Sequence, residues 1–229
     1  VSNAAVTLIG NTVYLAGGEN AVNTSSQFLS LDLSNLFAGW NKLDTIPQPV
    51  SHTVMVAALS KTGNKIYLYG GRKKNSNGIS DLYNNVFMYD VVANKWEEKK
   101  AMPYELSAGT GIMINANDII LFGGDNGVTF HKVETLIAAI NAEKDETKKQ
   151  QLILQKNKLQ SEHPGFSKEV LLYNIKNDTW EIIDTIPFDT PVTTTVVKWK
   201  SRVIIPSGEI KAGVRSPKIL EIKIQLKNK

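Results

Sequence analysis

"KIYLYGGRK", residues 65–73, decides the fold. A run of β-branched and aromatic residues ends in Gly70-Gly71, so a buried strand stops where the backbone must take positive φ or where a Cβ would clash. The same pattern stands in "TVYLAGGEN" (12–20) and "DIILFGGDN" (118–126). The glycine pairs fall at 17–18, 70–71 and 123–124, two equal steps of 53 residues. Further out, each pair is followed by a second strand-like run: "QFLSLDL" (27–33), "NVFMYDV" (85–91) and "EVLLYNI" (169–175). A tryptophan in another short run comes next. In all three copies a proline lies seven residues beyond it, from Trp40 to Pro47, Trp96 to Pro103 and Trp180 to Pro187. A new apolar run then opens the following unit, "HTVMVAA", "AGTGIMI" and "PVTTTVV".

The unit is therefore four short strands, with Gly-Gly after the second and Trp on the fourth, repeated along nearly the whole chain. It resembles the kelch repeat, the four-stranded antiparallel blade of a β-propeller. A generic β-meander is the alternative, and it does not account for the phasing. The expected fold is all-β, a kelch-type β-propeller forming one domain or a fragment of one. About four blades are present, at 1–45, 46–98, 99–184 and 185–229. The tryptophan offers a large flat surface to pack between adjacent blades. In the fourth unit "TTTVVKW", "RVIIPSG" and "KILEIKI" are followed only by "QLKNK". The expectation is three complete blades and most of a fourth, either a fragment of a larger ring or one of two copies, as a homodimer, that share blades.

One blade is swollen. From Gly124 to Trp180 is 56 residues, against 25 from Gly71 to Trp96. Val133, Leu136, Ile137 and Ile140 follow i, i+3, i+4, i+7, which predicts an amphipathic helix. Leu152, Leu154 and Leu159 predict a second, more charged one. The excess, about 129–166, is read as a helical insertion on one face of the propeller. Its charges read as a solvated face, with a lid over a binding site as the alternative.

Composition narrows the function classes. The 229 residues carry a net charge of +4, with Lys and Arg spread along the chain and no basic run interleaved with aromatics, which argues against nucleic acid. There is no cysteine, so disulfides, thiolate catalysis and cysteine-ligated metals are excluded, as is a propeller copper oxidase with its cross-linked cysteine. Absence of cysteine suits a bacterial periplasmic or other extracytoplasmic protein. Nothing reads as a transmembrane span. The strand-like opening "AAVTLIG" shows no signal peptide, which leaves room for a leader or further sequence ahead of it.

The loops after the glycine pairs are expected to cluster at one end of the central channel. They carry Glu19 and Asn20, Arg72 to Asn77, Asp125 and Asn126, then Glu209 to Arg215; the loops before the strands add His52 and Ser107. Carboxylates, arginine and amides converging on a funnel suit a polar ligand such as a sugar acid. Each residue taken alone also fits a turn or a surface charge. "PSGEIKAGVRS" (206–216) stands apart, because Ser207-Gly208 replaces the glycine pair and Glu209, Lys211 and Arg215 follow at once.

"SGEIKAGVRS" is similar to the "NGEIKPGxRT"-like loop of the bacterial N-acetylneuraminate epimerases, or sialic acid mutarotases, which are six-bladed kelch propellers. "GGRKKNSNGISDLYNNVFMYD" resembles a blade of the same family, and a helical insertion after the next Gly-Gly also occurs there. The likeness covers most of residues 46–224. Residues 1–45 look like the family's final blade moved to the front, as in its circularly permuted branch, and two of six blades are absent. That branch includes proteins fused to sodium:solute symporters, so a membrane transporter is an implied neighbour. The resemblance implies an isomerase that interconverts the α and β anomers of N-acetylneuraminate by acid–base opening and reclosing of the sugar ring, with no cofactor and no metal. It implicates Glu209 as base or proton shuttle and Arg215 as clamp for the substrate carboxylate. Substrate contacts are assigned to Lys211, Arg72, Asn75, His52, Asn20 and Asn126. Two alternatives stand beside this reading. One is a non-catalytic sugar-acid-binding kelch domain, associated with or fused to a symporter; the other is a protein-interaction scaffold, disfavoured because the loops are rich in Gly, Asn and charge rather than apolar tips.

Overall fold

The computed structural model describes residues 1–60, 63–200 and 202–223. The alternation of apolar and polar residues around each glycine pair folds into antiparallel sheets in chain order. The first contains β1 (Ala5–Ile9), β2 (Thr12–Ala16), β3 (Phe28–Asp32) and β4 (Asn41–Lys42). The second contains β5 (Val54–Ala58), β6 (Lys65–Lys73), β7 (Asp81–Asp90) and β8 (Lys95–Lys99). The third contains β9 (Thr110–Asn115), β10 (Asp118–Phe122), β11 (Glu169–Asn174) and β12 (Thr179–Thr185), with helices α1 (Val128–Ala142) and α2 (Glu146–Ser161) between β10 and β11. The fourth has three strands among the described residues, β13 (Val197–Trp199), β14 (Arg202–Lys211) and β15 (Val214–Ile222). Its remaining stretch, including "QLKNK", lies outside the described residues. β8 and β12 each run one residue past the blade boundaries drawn at 98 and 184.

These are the stacked blades of a kelch-type propeller. The first strands of successive sheets lie side by side, β1 against β5 and β5 against β9. Three apolar cores lie between successive sheets. Tyr14, Ala16 and Phe28 of the first meet Ile66, Leu68 and Tyr89 of the second. Val56, Tyr67 and Tyr69 of the second meet Ile119, Leu121 and Tyr173 of the third. Ile120, Phe122 and Val170 of the third meet Val203 and Ile205 of the fourth. Each such side chain contributes roughly 1.5–3 kcal/mol by burial, against about 1 kcal/mol net for a backbone hydrogen bond, so blade stacking dominates stability.

Two of the three repeat tryptophans join blades as their spacing predicts, whereas Trp40 is exposed. Trp96 packs on Phe28 and Tyr89, and its indole N–H donates to the carbonyl of Asp44 in the preceding blade at 2.9 Å. Trp180 packs on Tyr69 and Tyr173 and donates to the carbonyl of Lys100, again at 2.9 Å. Asp184 holds the position of Asp44 and Lys100, four residues after its own tryptophan. It lines a cavity of about 1780 Å³ between the third and fourth sheets, bounded also by Phe122, Ile186 and Leu220.

The glycine pairs have a specific steric cause. A Cβ on Gly17 would stand 2.1 Å from the carbonyl oxygen of Val50, and one on Gly70 would stand 2.3 Å from that of Leu106. In both cases the oxygen belongs to the next blade, so the first glycine is where neighbouring blades approach backbone to backbone. In the second and fourth sheets the strand does not end at the pair, as the sequence pattern implied. β6 and β14 pass through it with a register shift and continue as hairpin arms. The stretch 206–216 is therefore mostly strand rather than loop. It turns at Ala212-Gly213, where Gly213 has φ +74.

Candidate functional site

Four chain segments meet at one end of the inner strands and build a rim by repetition. In each blade the residue after the glycine pair, or after Ser207-Gly208, forms an isolated bridge to the residue leading into the inner strand. The pairs are Ser2 with Glu19, Ser51 with Arg72, Ser107 with Asp125 and Val192 with Glu209. Beside them Asn3, His52, Ala108 and Thr193 all take positive φ, between +49° and +59°. That strain lets the rim close from blade to blade. His52 N–H donates to Asn3 C=O at 3.0 Å, Ala108 N–H to His52 C=O at 2.8 Å, and Thr193 N–H to Ala108 C=O at 3.0 Å. Glu19, Arg72, Asp125 and Glu209 thus hold one repeated position, each an ionisable side chain.

On the first two blades these charges are locked together. Arg72 places Nη2 at 3.2 Å from Glu19 Oε1 and donates through Nε to His52 Nδ1 at 3.2 Å, which leaves the imidazole proton on Nε2. Glu19 also accepts from Ser51 Oγ at 2.8 Å and Asn3 Nδ2 at 3.1 Å. Burial pushes the Glu19 carboxyl up, but the Ser51 hydrogen bond, Arg72, His52 and Asn3 together hold it below its ordinary value. Burial, reinforced by the Arg72 charge, pulls His52 down to about 4 despite the nearby Glu19. The imidazole is therefore neutral at pH 7.

The third blade contributes Asp125, whose carboxyl is raised by burial against the opposing pull of the Gly127 N–H, His163, Arg72 and His131. Its Oδ1 accepts from Gly127 N–H at 2.8 Å. A cavity of about 330 Å³ lies beside it, lined also by Asn126, Thr129, His163 and Lys168. On the fourth blade Glu209 and Arg215 are directly opposed on β14 and β15. They are not ion-paired. Glu209 Oε1 accepts from Gly213 N–H at 2.7 Å across the turn, and Arg215 Nη2 donates to Thr193 Oγ1 at 3.2 Å. Arg215 is exposed and Glu209 half-buried.

Of the residues singled out from sequence, Arg72 and His52 come together, and Glu209 and Arg215 form a second group on the same rim. Lys211 sits at the end of β14 opposite Val214. The Asn20 and Asn126 amides serve their own turns, and Asn75 contributes its backbone carbonyl. Asn20 Oδ1 accepts from the N–H groups of Val22 and Asn23, Asn126 Oδ1 accepts from Val128 N–H at the start of α1, and Asn75 C=O accepts from Gly78 N–H. Two residues gain importance only in three dimensions. Asp125 was legible as the repeat equivalent of Glu19, Arg72 and Glu209, but its burial was not. Phe130 on α1 stacks over the Arg72 guanidinium, 4.8 Å from its carbon to the ring centroid, and no periodicity marks it.

Comparison with known proteins gives a consistent answer. The family model described as N-acetylneuraminate epimerase matches residues 1–229. The N-acetylneuraminate epimerase of Salmonella typhimurium (strain LT2) is 27% identical over 210 residues, covering 91% of this chain and 53% of that protein. The N-acetylneuraminate epimerase of Brucella melitensis biotype 1 is 26% identical over 231 residues, covering 98% and 57%. The chain spans about half the length of the curated relatives it matches. Among solved structures, that of YjhT superimposes with a TM-score of 0.75 at 21% identity, over 98% of this chain and 63% of that one. This likeness carries the fold.

Proposed function

Since the chain belongs to the N-acetylneuraminate epimerase family, we propose that it accelerates interconversion of the α and β anomers of N-acetylneuraminate. The observation that supports this most directly is the rim itself, where successive blades bring one cation, Arg72, and three carboxylates, Glu19, Asp125 and Glu209, to one repeated level, with Arg215 opposite Glu209. Mutarotation needs little else. A base takes the proton of the anomeric hydroxyl, the bond from the anomeric carbon to the ring oxygen breaks, and an acid protonates that oxygen, giving the open-chain keto acid. Reclosure on the other face reverses the transfers. Glu209 is the base in this reading. Its carboxylate is half-buried and held at the turn by a single backbone N–H. Asp125, one blade away, is suited to the acid role because burial favours its protonated form. Arg215 clamps the substrate carboxylate, for which a guanidinium fork is well shaped.

No helix among the described residues is long and apolar enough to cross a membrane. The cysteine-free composition supports a periplasmic setting.

The test follows the anomers by proton NMR after a retaining sialidase releases α-N-acetylneuraminate. Addition of the protein is expected to shorten equilibration, and Glu209→Gln to remove about 10²–10⁴-fold of that effect. Line broadening of the sugar without acceleration, abolished by Arg215→Ala, would reassign the chain as a sugar-acid-binding domain. No effect in either readout would overturn the proposal for this chain.

A further inference from the structure

The helical insertion leaves the third blade, yet its first helix is fastened to the second. Glu134 of α1 accepts from Ser80 N–H at 2.9 Å and Ser80 Oγ at 2.7 Å, a two-point bond to a buried serine. His131 Nε2 lies 2.9 Å from Ser80 C=O, to which it donates. At the start of the same helix Gly127 lies so close to Leu82 that a Cβ there would stand 2.9 Å from the leucine methyl. Ser80 precedes β7, so α1 spans the junction between two blades and is tied down on both sides. One turn before Glu134, this anchoring puts the ring of Phe130 over the Arg72 guanidinium.

We infer that Phe130 is a positioning residue that holds Arg72 as a preformed anion fork at the rim, with α1 as a fixed wall of the site. Arg72 is restrained from three sides. Nε is committed to His52, one Nη2 hydrogen to Glu19, and one face to the aromatic ring. The Nη1 donors make no hydrogen bond among the described residues and are free to receive a further anionic or hydroxyl oxygen of the sugar acid, beside the clamp at Arg215. An aromatic face suits this task because it attracts the cation without consuming an N–H and keeps water from that side. A leucine of similar bulk would fill the space but offer no π face. The inference rests on reading the rim as the sugar-acid site, and its test separates the two.

Two measurements on the intact chain decide it, using Phe130→Leu, Phe130→Tyr and Glu134→Gln. The first is the proton shift of Arg72 Nε–H in the ligand-free protein. It should be displaced by the ring current in the parent and in Phe130→Tyr. It should relax toward the ordinary arginine position in Phe130→Leu and partly in Glu134→Gln. The second is the Kd for N-acetylneuraminate by titration, expected to rise about 2- to 5-fold in Phe130→Leu and to be restored in Phe130→Tyr. A Phe130→Leu protein that is less stable but unchanged in both the Arg72 shift and Kd would overturn the inference, leaving Phe130 a packing residue. If the parent binds no N-acetylneuraminate, the proposed function falls, and the Arg72 shift alone decides whether Phe130 positions the guanidinium.

Discussion

The two halves of the rim use the same repeated position in opposite ways. On the first two blades Glu19, His52 and Arg72 are drawn into a mutual network with side-chain exposures of 12%, 13% and 20%. On the fourth, Glu209 and Arg215 face each other across a hairpin but bond elsewhere, to a turn N–H and a threonine hydroxyl. A buried charge is tolerated only when paired, so Glu19 and Arg72 satisfy each other before any ligand arrives, and Arg72 keeps only its Nη1 edge open. The second half is held by single bonds and faces water, where a ligand can replace its partners at little cost. One side of the rim is a lock with a single open edge at Arg72, and the other is held loosely. Asp125 lies between the two, buried like the first and unpaired with a cation like the second.

The sharpest break of this comparison is made at the glycines beneath the rim. Gly70→Ser introduces a Cβ that would stand 2.3 Å from the Leu106 carbonyl oxygen at a φ of +54°. A backbone oxygen at a blade interface cannot step aside cheaply, so a loss of about 2–5 kcal/mol is expected in chemical denaturation. The reciprocal change Ser207→Gly should stay within about 1 kcal/mol. There the serine already sits at φ +53°, and its Oγ donates to Ser216 C=O at 2.7 Å. The glycine relieves the φ strain and loses that one bond. Equal costs at the two sites would show that the fourth blade's rim is built like the others.

Much of this architecture was legible in the sequence, because a propeller blade is a short-range object. Glycine pairs 53 residues apart and tryptophans seven residues before prolines fix strand phase without any long-range information. The helices of the insertion were legible too, from the spacing of Val133, Leu136, Ile137 and Ile140. Their orientation was not, since it is set by Glu134 and Ser80, 54 residues apart in the chain. The hairpin through Glu209 was hidden for a related reason. A Ser-Gly pair marks a turn by composition, yet pairing with β15 carries the strand through it. The neighbourhood of Asp125 includes the insertion's return segment, whose His163 lines the same cavity and pulls its carboxyl down against burial, and no local pattern announces that meeting.

A pH series separates the lock from its neighbour. His52 is lowered from 6.5 to about 4 in the folded chain, so the unfolded chain binds the proton first. The His52 contribution to stability should therefore fall as pH drops from about 6.5 to about 4 and then level off, by on the order of 3 kcal/mol. His52→Gln should flatten that window. Asp125 has the opposite sign. Its folded value is raised, so its contribution diminishes as pH climbs above the ordinary 3.8, and Asp125→Asn should remove that slope. Urea midpoints at a series of pH values check both. Parallel slopes in the parent and His52→Gln would mean that the imidazole is not held neutral by burial.

The smallest expected effect lies on the open half of the rim, and its smallness is what the comparison requires. The Arg215 residue is exposed, and the Glu209 side chain bonds only within its own turn among the described residues. Neither supports a buried partner, so Glu209→Ala and Arg215→Ala should each change stability by no more than about 0.5–1 kcal/mol, as for other weakly coupled surface groups. In the double variant the two changes should add. The pair is opposed in register without an ion pair, and coupling energy arises from contacts that are actually made. Denaturation of the four-member cycle, parent and variants, measures this directly. A coupling above about 0.5 kcal/mol would show that Glu209 and Arg215 hold each other as Glu19 and Arg72 do. The fourth blade would then be a second lock, and its charges would be as costly to turn toward a substrate as those of the first.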